Sequence, residues 1–216
     1  MPLSSELNRL LSICVLTAFA FNTVVESYKC VFCYTNNCRA ERQRMCGDFQ
    51  GCFRHKQELK VLGQRPVFKE ERGCSVTKCV PLVFTASLGN KTFGYGTECC
   101  QSKLCNKGDF QVSQKSSDPN GIKCPACFTY NTSSCDSVLL NCTGKETKCI
   151  EVIGSAYPGV SIYAKGCATK SACNLKNLIL MGNTSIHTSC VNIGSSPGMP
   201  IISPIFISFF MLKVLL

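Results

Sequence analysis

Two Cys-x-x-Cys pairs, Cys30-Val-Phe-Cys33 and Cys124-Pro-Ala-Cys127, and two histidines, His55 and His187, are the residues whose types and spacing could do chemistry in this chain. Cys-x-x-Cys can form half of a zinc site or a thiol–disulfide redox couple, because both need two sulfurs held close together. The wider composition argues against both. There are 19 cysteines in 216 residues and no tryptophan, a cysteine density that belongs to disulfide scaffolds. The two histidines are far apart in sequence, and no Gly-x-Ser-x-Gly, paired-carboxylate or phosphate-loop pattern accompanies them. Nothing assembles a nucleophile, a base and an oxyanion site. Both histidines are expected on solvent-facing loops, with no catalytic residue, no metal and no cofactor.

The ends of the chain place these cysteines in a compartment. Residues 1–27 read as a signal peptide: Arg9 supplies a positive front, residues 10–21 are apolar apart from Ser12 and Thr17, and Val25-Glu-Ser27 offers a cleavage site. Cleavage would remove Cys14 and leave an even number of cysteines, which can be fully paired. An oxidising destination makes the Cys-x-x-Cys pairs structural disulfides. A second apolar stretch, residues 201–216, ends the chain. As a helix it would rise about 24 Å, short of the ~30 Å hydrocarbon core, and Pro204 and Lys213 weaken it further. Small residues at Gly194-Ser195-Ser196, a short spacer and a hydrophobic tail form the pattern of a GPI-attachment signal over 194–216, with Gly194 and Ser195 as attachment candidates. A soluble secreted form and a transmembrane tail are the alternatives. The expected location is the extracellular face of the plasma membrane, with secretion as the second option.

What positions the cysteines is an internal repeat. Successive gaps from Cys30 are 3, 5, 8, 6, 22, 5 and 20, before the Cys99-Cys100 pair and Cys105. From Cys124 they are 3, 8, 7, 7, 18, 6 and 17. The flanks agree: Cys30-Val-Phe-Cys-Tyr-Thr aligns with Cys124-Pro-Ala-Cys-Phe-Thr, and Arg72-Gly-Cys-Ser with Lys165-Gly-Cys-Ala. One module is used twice, over 28–106 and 122–193, joined by a polar, turn-rich linker at 107–121. Neither module is large enough to stand on apolar burial alone; each crosslink typically adds ~2–4 kcal/mol. Helical periodicity is absent. The long gaps hold β-prone runs around turns, at 59–68, at 80–95 with Gly89-Asn90, and at 150–163, and these are predicted hairpins.

The Cys-x-x-Cys start together with the closing Cys99-Cys-Gln-Ser-Lys-Leu-Cys-Asn106 resembles the lymphocyte-antigen/urokinase-receptor (LU, uPAR-type) three-finger family over residues 28–192. Lys165-Gly-Cys-Ala-Thr-Lys-Ser-Ala-Cys173 is similar to the second module of its two-domain subgroup, which includes gamma-type phospholipase inhibitors and sperm, neutrophil and rodent bone-associated surface proteins. The resemblance implies an all-β, disulfide-rich fold of two tandem three-finger domains that is not an enzyme. Spacing alone leaves the pairing open, since eight cysteines allow 105 connectivities. The family pattern implies Cys30–Cys52, Cys33–Cys38, Cys46–Cys74, Cys79–Cys99 and Cys100–Cys105 in the first module. In the second it implies Cys124–Cys149, Cys127–Cys135, Cys142–Cys167 and Cys173–Cys190. It also gives Asn106 the task of locking the closing loop through side-chain hydrogen bonds. The second module departs from the pattern: Cys190 is followed by Val-Asn-Ile-Gly, so the last small loop and its terminal Asn are missing, and a looser closure is expected.

Four sequons, at Asn90, Asn131, Asn141 and Asn183, are expected to carry glycans in a secreted chain, Asn141 being the doubtful one beside Cys142. Fingers without sequons are the places to look for a partner. The first module is also basic there, and Arg42, Arg44, Arg54, His55, Lys56, Leu62, Gln64 and Arg65 are candidate contacts, with Tyr157 and Tyr163 as aromatic candidates in the second. The net charge of +10 suits an acidic glycan or an acidic protein partner, with salt-sensitive affinity; a merely solvated face is the bland alternative. Compartment and the lack of any nucleic-acid fold motif argue against nucleic acid. The expected function is that of a GPI-anchored, glycosylated cell-surface binding protein in adhesion or receptor modulation. The alternative is a soluble inhibitor of an extracellular enzyme such as a secreted phospholipase.

Overall fold

A computed structural model describes residues 29–34, 38, 42–47, 51–112, 116–181 and 183–191. The predicted signal peptide and the attachment candidates Gly194 and Ser195 lie outside these residues. Among the described residues no helix is long and apolar enough to cross a membrane.

The described chain is all-β. In order come β1 (Lys29–Phe32), β2 (Arg42–Met45), β3 (Cys52–Val61), β4 (Val67–Cys74), β5 (Leu82–Leu88), β6 (Lys91–Cys100), β7 (Pro119–Tyr130), β8 (Val138–Thr143), β9 (Lys148–Ala156), β10 (Val160–Ala168), β11 (Leu178–Leu180) and β12 (Thr184–Val191). A single 3-10 turn occupies Lys170–Ala172. The three predicted hairpins are β3–β4, β5–β6 and β9–β10. Their turns use residues suited to them: Gly89 at φ 60° in the second, and Pro158-Gly159, with Gly159 at φ 82°, in the third.

Backbone proximity divides the chain into two compact units that do not follow the sequence modules. Of the described residues, the first holds those up to 56 with 70–81 and 97–110; the second holds 57–69, 82–96 and those from 111 onward. The first unit is organised by sulfur. Cys30, Cys46 and Cys52 are 0–1% exposed and pack with Cys74, Cys100 and Cys105. β1 pairs antiparallel with β2, setting Cys30 opposite Arg44 and Phe32 opposite Arg42. Five bridges lie here: Cys30–Cys52, Cys33–Cys38, Cys46–Cys74, Cys79–Cys99 and Cys100–Cys105.

A side chain completes this unit where strands do not. Asn106 is fully buried. Its Oδ1 accepts from the Val31 N–H at 2.8 Å, and its Nδ2 donates to the carbonyls of Val31 at 2.8 Å and Phe53 at 3.0 Å. The amide therefore stands in for a strand residue, satisfying both backbone groups of Val31 and tying β1 to β3. Arg72 holds the same corner, donating to the Asn106 carbonyl at 3.1 Å while forking onto Glu70 at 2.8 and 2.6 Å.

The second unit has a sulfur cluster and an apolar core. Cys124–Cys149 and Cys142–Cys167 pack together against Ile122 and Leu140, and Cys127–Cys135 and Cys173–Cys190 complete its bridges. The apolar core contains Phe84, Ala86, Leu88, Tyr95, Ile150, Val152, Ala164, Ala168, Ala172, Leu180 and Ile186. The strands of this unit follow the hydrogen-bonded order β11-β12-β9-β10-β5-β6, with β7 pairing both β10 and β8. Central to it is β10, paired with β9 along Val160–Ala168, with β7 at Ile162–Lys165 and with β5 at Cys167 and Ala168. Bridges reinforce an apolar cluster here rather than replacing one. The core draws on both modules, because this unit gathers residues 57–69 and 82–96 with the described residues from 111 onward.

The stretch predicted as a polar linker is partly built into the fold. Phe110 and Val112 are 6% and 8% exposed, and Pro119, Asn120 and Gly121 open β7. Asn120 donates to the Gly144 and Glu146 carbonyls at 3.0 Å each and accepts from the Ile122 N–H at 3.1 Å. Two apolar residues spaced two apart in a polar run are the signal that composition alone hides.

Candidate binding surfaces

The structure separates the basic candidates of the first unit by what their charged ends already touch. Arg42 and Arg44 stand exposed on β2, with the Arg44 guanidinium 5.8 Å from the centre of the Phe32 ring. The polar ends of Arg54, His55 and Lys56 instead reach groups within the unit. Arg54 pairs with Glu98 through Nε at 2.6 Å, donates to the Gly108 and Asp109 carbonyls at 3.4 and 3.3 Å, and lies over Phe110 at 5.2 Å. The His55 Nδ1 is 2.8 Å from the Thr97 hydroxyl, and Lys56 donates to the Phe110 carbonyl at 3.3 Å. The expectation of loop histidines is corrected: His55 lies on β3 and His187 on β12, because both fall in the alternating register of a strand.

In the second unit, the turn between β3 and β4 carries Leu62, Gln64 and Arg65 in full exposure, Leu62 at 84%. The turn is anchored from below by the Leu62 N–H donating to the Asn90 carbonyl at 3.0 Å. Tyr157, at 83% exposure, tops the β9–β10 turn. Tyr163 does not join it. Only 9% exposed, it is paired across to Thr129 of β7 on one side and Ile153 of β9 on the other, and its hydroxyl donates to Glu151. As a surface aromatic it is withdrawn. The Tyr163 hydroxyl also raises the Lys165 ammonium above its ordinary pKa through a side-chain hydrogen bond, with attraction from Tyr163 and Glu151 adding and slight burial opposing. Tyr163→Ala is expected to cost about 3–5 kcal/mol of unfolding free energy, and Leu62→Ala to stay within about 0.5 kcal/mol. Chemical denaturation with the bridges intact measures both.

All four sequon asparagines are exposed. Asn90 is in the β5–β6 turn, Asn131 follows β7, Asn141 is on β8, and Asn183 lies between β11 and β12. Two features escaped the reading of the chain. One is an open depression bounded by Lys145, Lys170, Thr85, Thr147, Thr169 and Ser171. The other is an apolar cavity of about 140 Å³ with Lys91 at its edge. Neither has a local sequence signal, since their residues come from strands distant in the chain. Three cysteine sulfurs approach within 4.8 Å of one another in each of two clusters, Cys30/Cys46/Cys52 and Cys124/Cys142/Cys167. Each of these sulfurs is bonded in a bridge, so the proximity reflects bridges packed side by side.

A knot of bridges with exposed β-turns defines a disulfide-stapled finger protein, and the comparisons agree. Residues 120–195 match the u-PAR/Ly-6 domain. The chain is 40% identical to Protein RoBo-1 of Rattus norvegicus over 196 residues, covering 87% of this chain and 80% of that protein. It is 30% identical to phospholipase A2 inhibitor CNF of Crotalus durissus terrificus over 176 residues, covering 77% and 84%. It is 30% identical to the urokinase plasminogen activator surface receptor of Rattus norvegicus over 109 residues, covering 48% and 33%. The chain belongs to the u-PAR/Ly-6 domain family. It is all-β and disulfide-rich, with two tandem three-finger domains, and it is not an enzyme; its relatives include a surface receptor and a phospholipase A2 inhibitor.

Proposed function

We propose that the protein is a GPI-anchored, glycosylated cell-surface binding protein that acts in adhesion or receptor modulation through its finger turns. The observation that carries this reading is the β3–β4 turn. There Leu62, Gln64 and Arg65 are presented to solvent from a strand pair whose tip is hydrogen-bonded in place. A rigid turn loses little conformational entropy on binding, so exposed apolar and basic groups at its tip convert efficiently into affinity. The exposed β2 arginines and the lysine-lined depression suit an acidic protein or an acidic glycan. The name of one relative, a surface receptor, supports the surface reading. The inhibitor name of another supports the alternative, a soluble inhibitor of a secreted phospholipase.

Treating expressing cells with a phosphatidylinositol-specific phospholipase C tests the anchor. Release of the protein from the surface is the expected result. Accumulation in the medium without enzyme, together with inhibition of a secreted phospholipase A2, would replace this reading with the alternative. Binding to cells by the soluble chain should weaken at least about tenfold in the Leu62→Ala/Arg65→Ala double variant, the loss of a small hot spot.

A further inference from the structure

The second unit holds a partly open cavity of about 140 Å³. Its walls are apolar, with Phe84, Leu88, Ile150, Val152, Leu180 and Ile186 among them. These are core residues, buried to 2–6% exposure. No aspartate or glutamate lines it. An apolar space of this size is large enough for a benzene-sized group, about six carbons. Side chains in a packed core ordinarily interdigitate to leave no such space.

One cation stands at the edge of the cavity. The Lys91 ammonium lies 3.7 Å from the centre of the Phe128 ring and 4.6 Å from that of Tyr130, and donates to the Tyr130 hydroxyl at 2.7 Å. All three side chains line the cavity. Among the described residues no carboxylate pairs with this ammonium. An ammonium carries three donors, and its bond to Tyr130 uses one of them. The Tyr130 hydroxyl, having accepted from Lys91, still has its own proton to donate. The rim thus offers a positive charge and two kinds of donor beside an apolar chamber.

We infer that this cavity binds a small anionic amphiphile, a free fatty acid whose tail occupies the apolar chamber and whose carboxylate meets Lys91 and Tyr130. Charge complementarity selects the head group: a carboxylate pairs with the ammonium and accepts from the phenol, which a neutral head cannot match. The cavity volume limits the inserted part of the tail to about six carbons. Three sequon residues adjoin lining residues, Asn90 beside Lys91, Asn131 beside Tyr130 and Asn183 beside Thr184, and all three are exposed. Glycans there would obstruct a protein segment more than a fatty acid. This site involves none of the finger-turn residues Leu62, Gln64 and Arg65, and stands or falls apart from them.

Titration calorimetry on the secreted, delipidated full chain tests it with octanoate, octanol and anionic phospholipid vesicles. The expected result is saturable binding of about one octanoate per chain, with octanol at least about tenfold weaker. Lys91→Gln should weaken octanoate about tenfold while leaving octanol unchanged, as removal of one charge-assisted pair predicts. Val152→Phe, which fills the chamber, should abolish binding of both; should that variant fail to fold, the Lys91→Gln comparison decides alone. Absence of octanoate binding at millimolar concentration, equal binding by Lys91→Gln, or binding to vesicles but not to octanoate would each overturn the inference.

Discussion

Asn106→Ala is expected to destabilise the protein by about 3–5 kcal/mol, read as a lower denaturation midpoint with all bridges intact. The side chain is fully buried and makes three hydrogen bonds, to the N–H and carbonyl of Val31 and to the carbonyl of Phe53. Removing it leaves three backbone groups without partners, and each buried group so stranded costs about 1–3 kcal/mol. Water cannot easily replace it, because Val31 is itself only 1% exposed. Asn106→Asp separates the contributions. It keeps the acceptor for the Val31 N–H but turns a carboxylate toward two carbonyls that need donors, so it should be at least as damaging near neutral pH. A midpoint shift equivalent to less than about 0.5 kcal/mol, the size of an ordinary surface substitution, would show that the Cys30–Cys52 bridge, and not the amide, holds β1 to β3.

Gly166→Ala is expected to be comparably severe for a different reason. A Cβ built on Gly166 would lie 1.8 Å from the Ser87 carbonyl oxygen, 2.9 Å from its carbon and 3.1 Å from the Leu88 Cα. These are backbone atoms, so no side-chain rotation relieves the clash. The register Cys167↔Ser87 and Ala168↔Ala86 between β10 and β5 must open. Ordinary overpacking costs about 1–3 kcal/mol; a methyl forced between two strand backbones should exceed the top of that range. Gly159→Ala is the control. Its φ is 82° with nothing within 4 Å of the added Cβ, so it should show only the cost of a left-handed conformation, about 1–2 kcal/mol. Equal effects from the two substitutions would mean that β5 and β10 do not meet as closely as described.

Much of the fold was legible in the chain because its constraints are local or repeated. Cysteine density favoured bridges over a catalytic or metal role for Cys-x-x-Cys, the repeated gaps marked two tandem modules, and Gly89-Asn90 marked a turn between β-prone runs. The pairing was different: spacing left it open, and only the family resemblance implied one set. Surface candidates were legible where they lay on turns. Leu62, Arg65 and Tyr157 are exposed in the structure, as turn tips must be when the flanking strands pair below them.

Tyr163 shows where reading along the chain stops. It lies six residues from Tyr157 on the same hairpin, yet one ring is 83% exposed and the other 9%. Tyr157 tops a turn, whereas Tyr163 lies where β10 meets both β9 and β7, the latter from more than thirty positions upstream, and its hydroxyl donates to Glu151. The contact that makes Gly166 intolerant of a side chain, the placing of Phe110 beneath Arg54, and the gathering of Lys91, Phe128 and Tyr130 at one cavity rim arise the same way. The sequence by itself determined that this is a cystine-stapled β protein of two repeated modules, since spacing and turn chemistry act between near neighbours. Tertiary structure alone decided which side chains face solvent, which face the core and where an apolar cavity lies, because those outcomes depend on strands that meet only after the chain has folded.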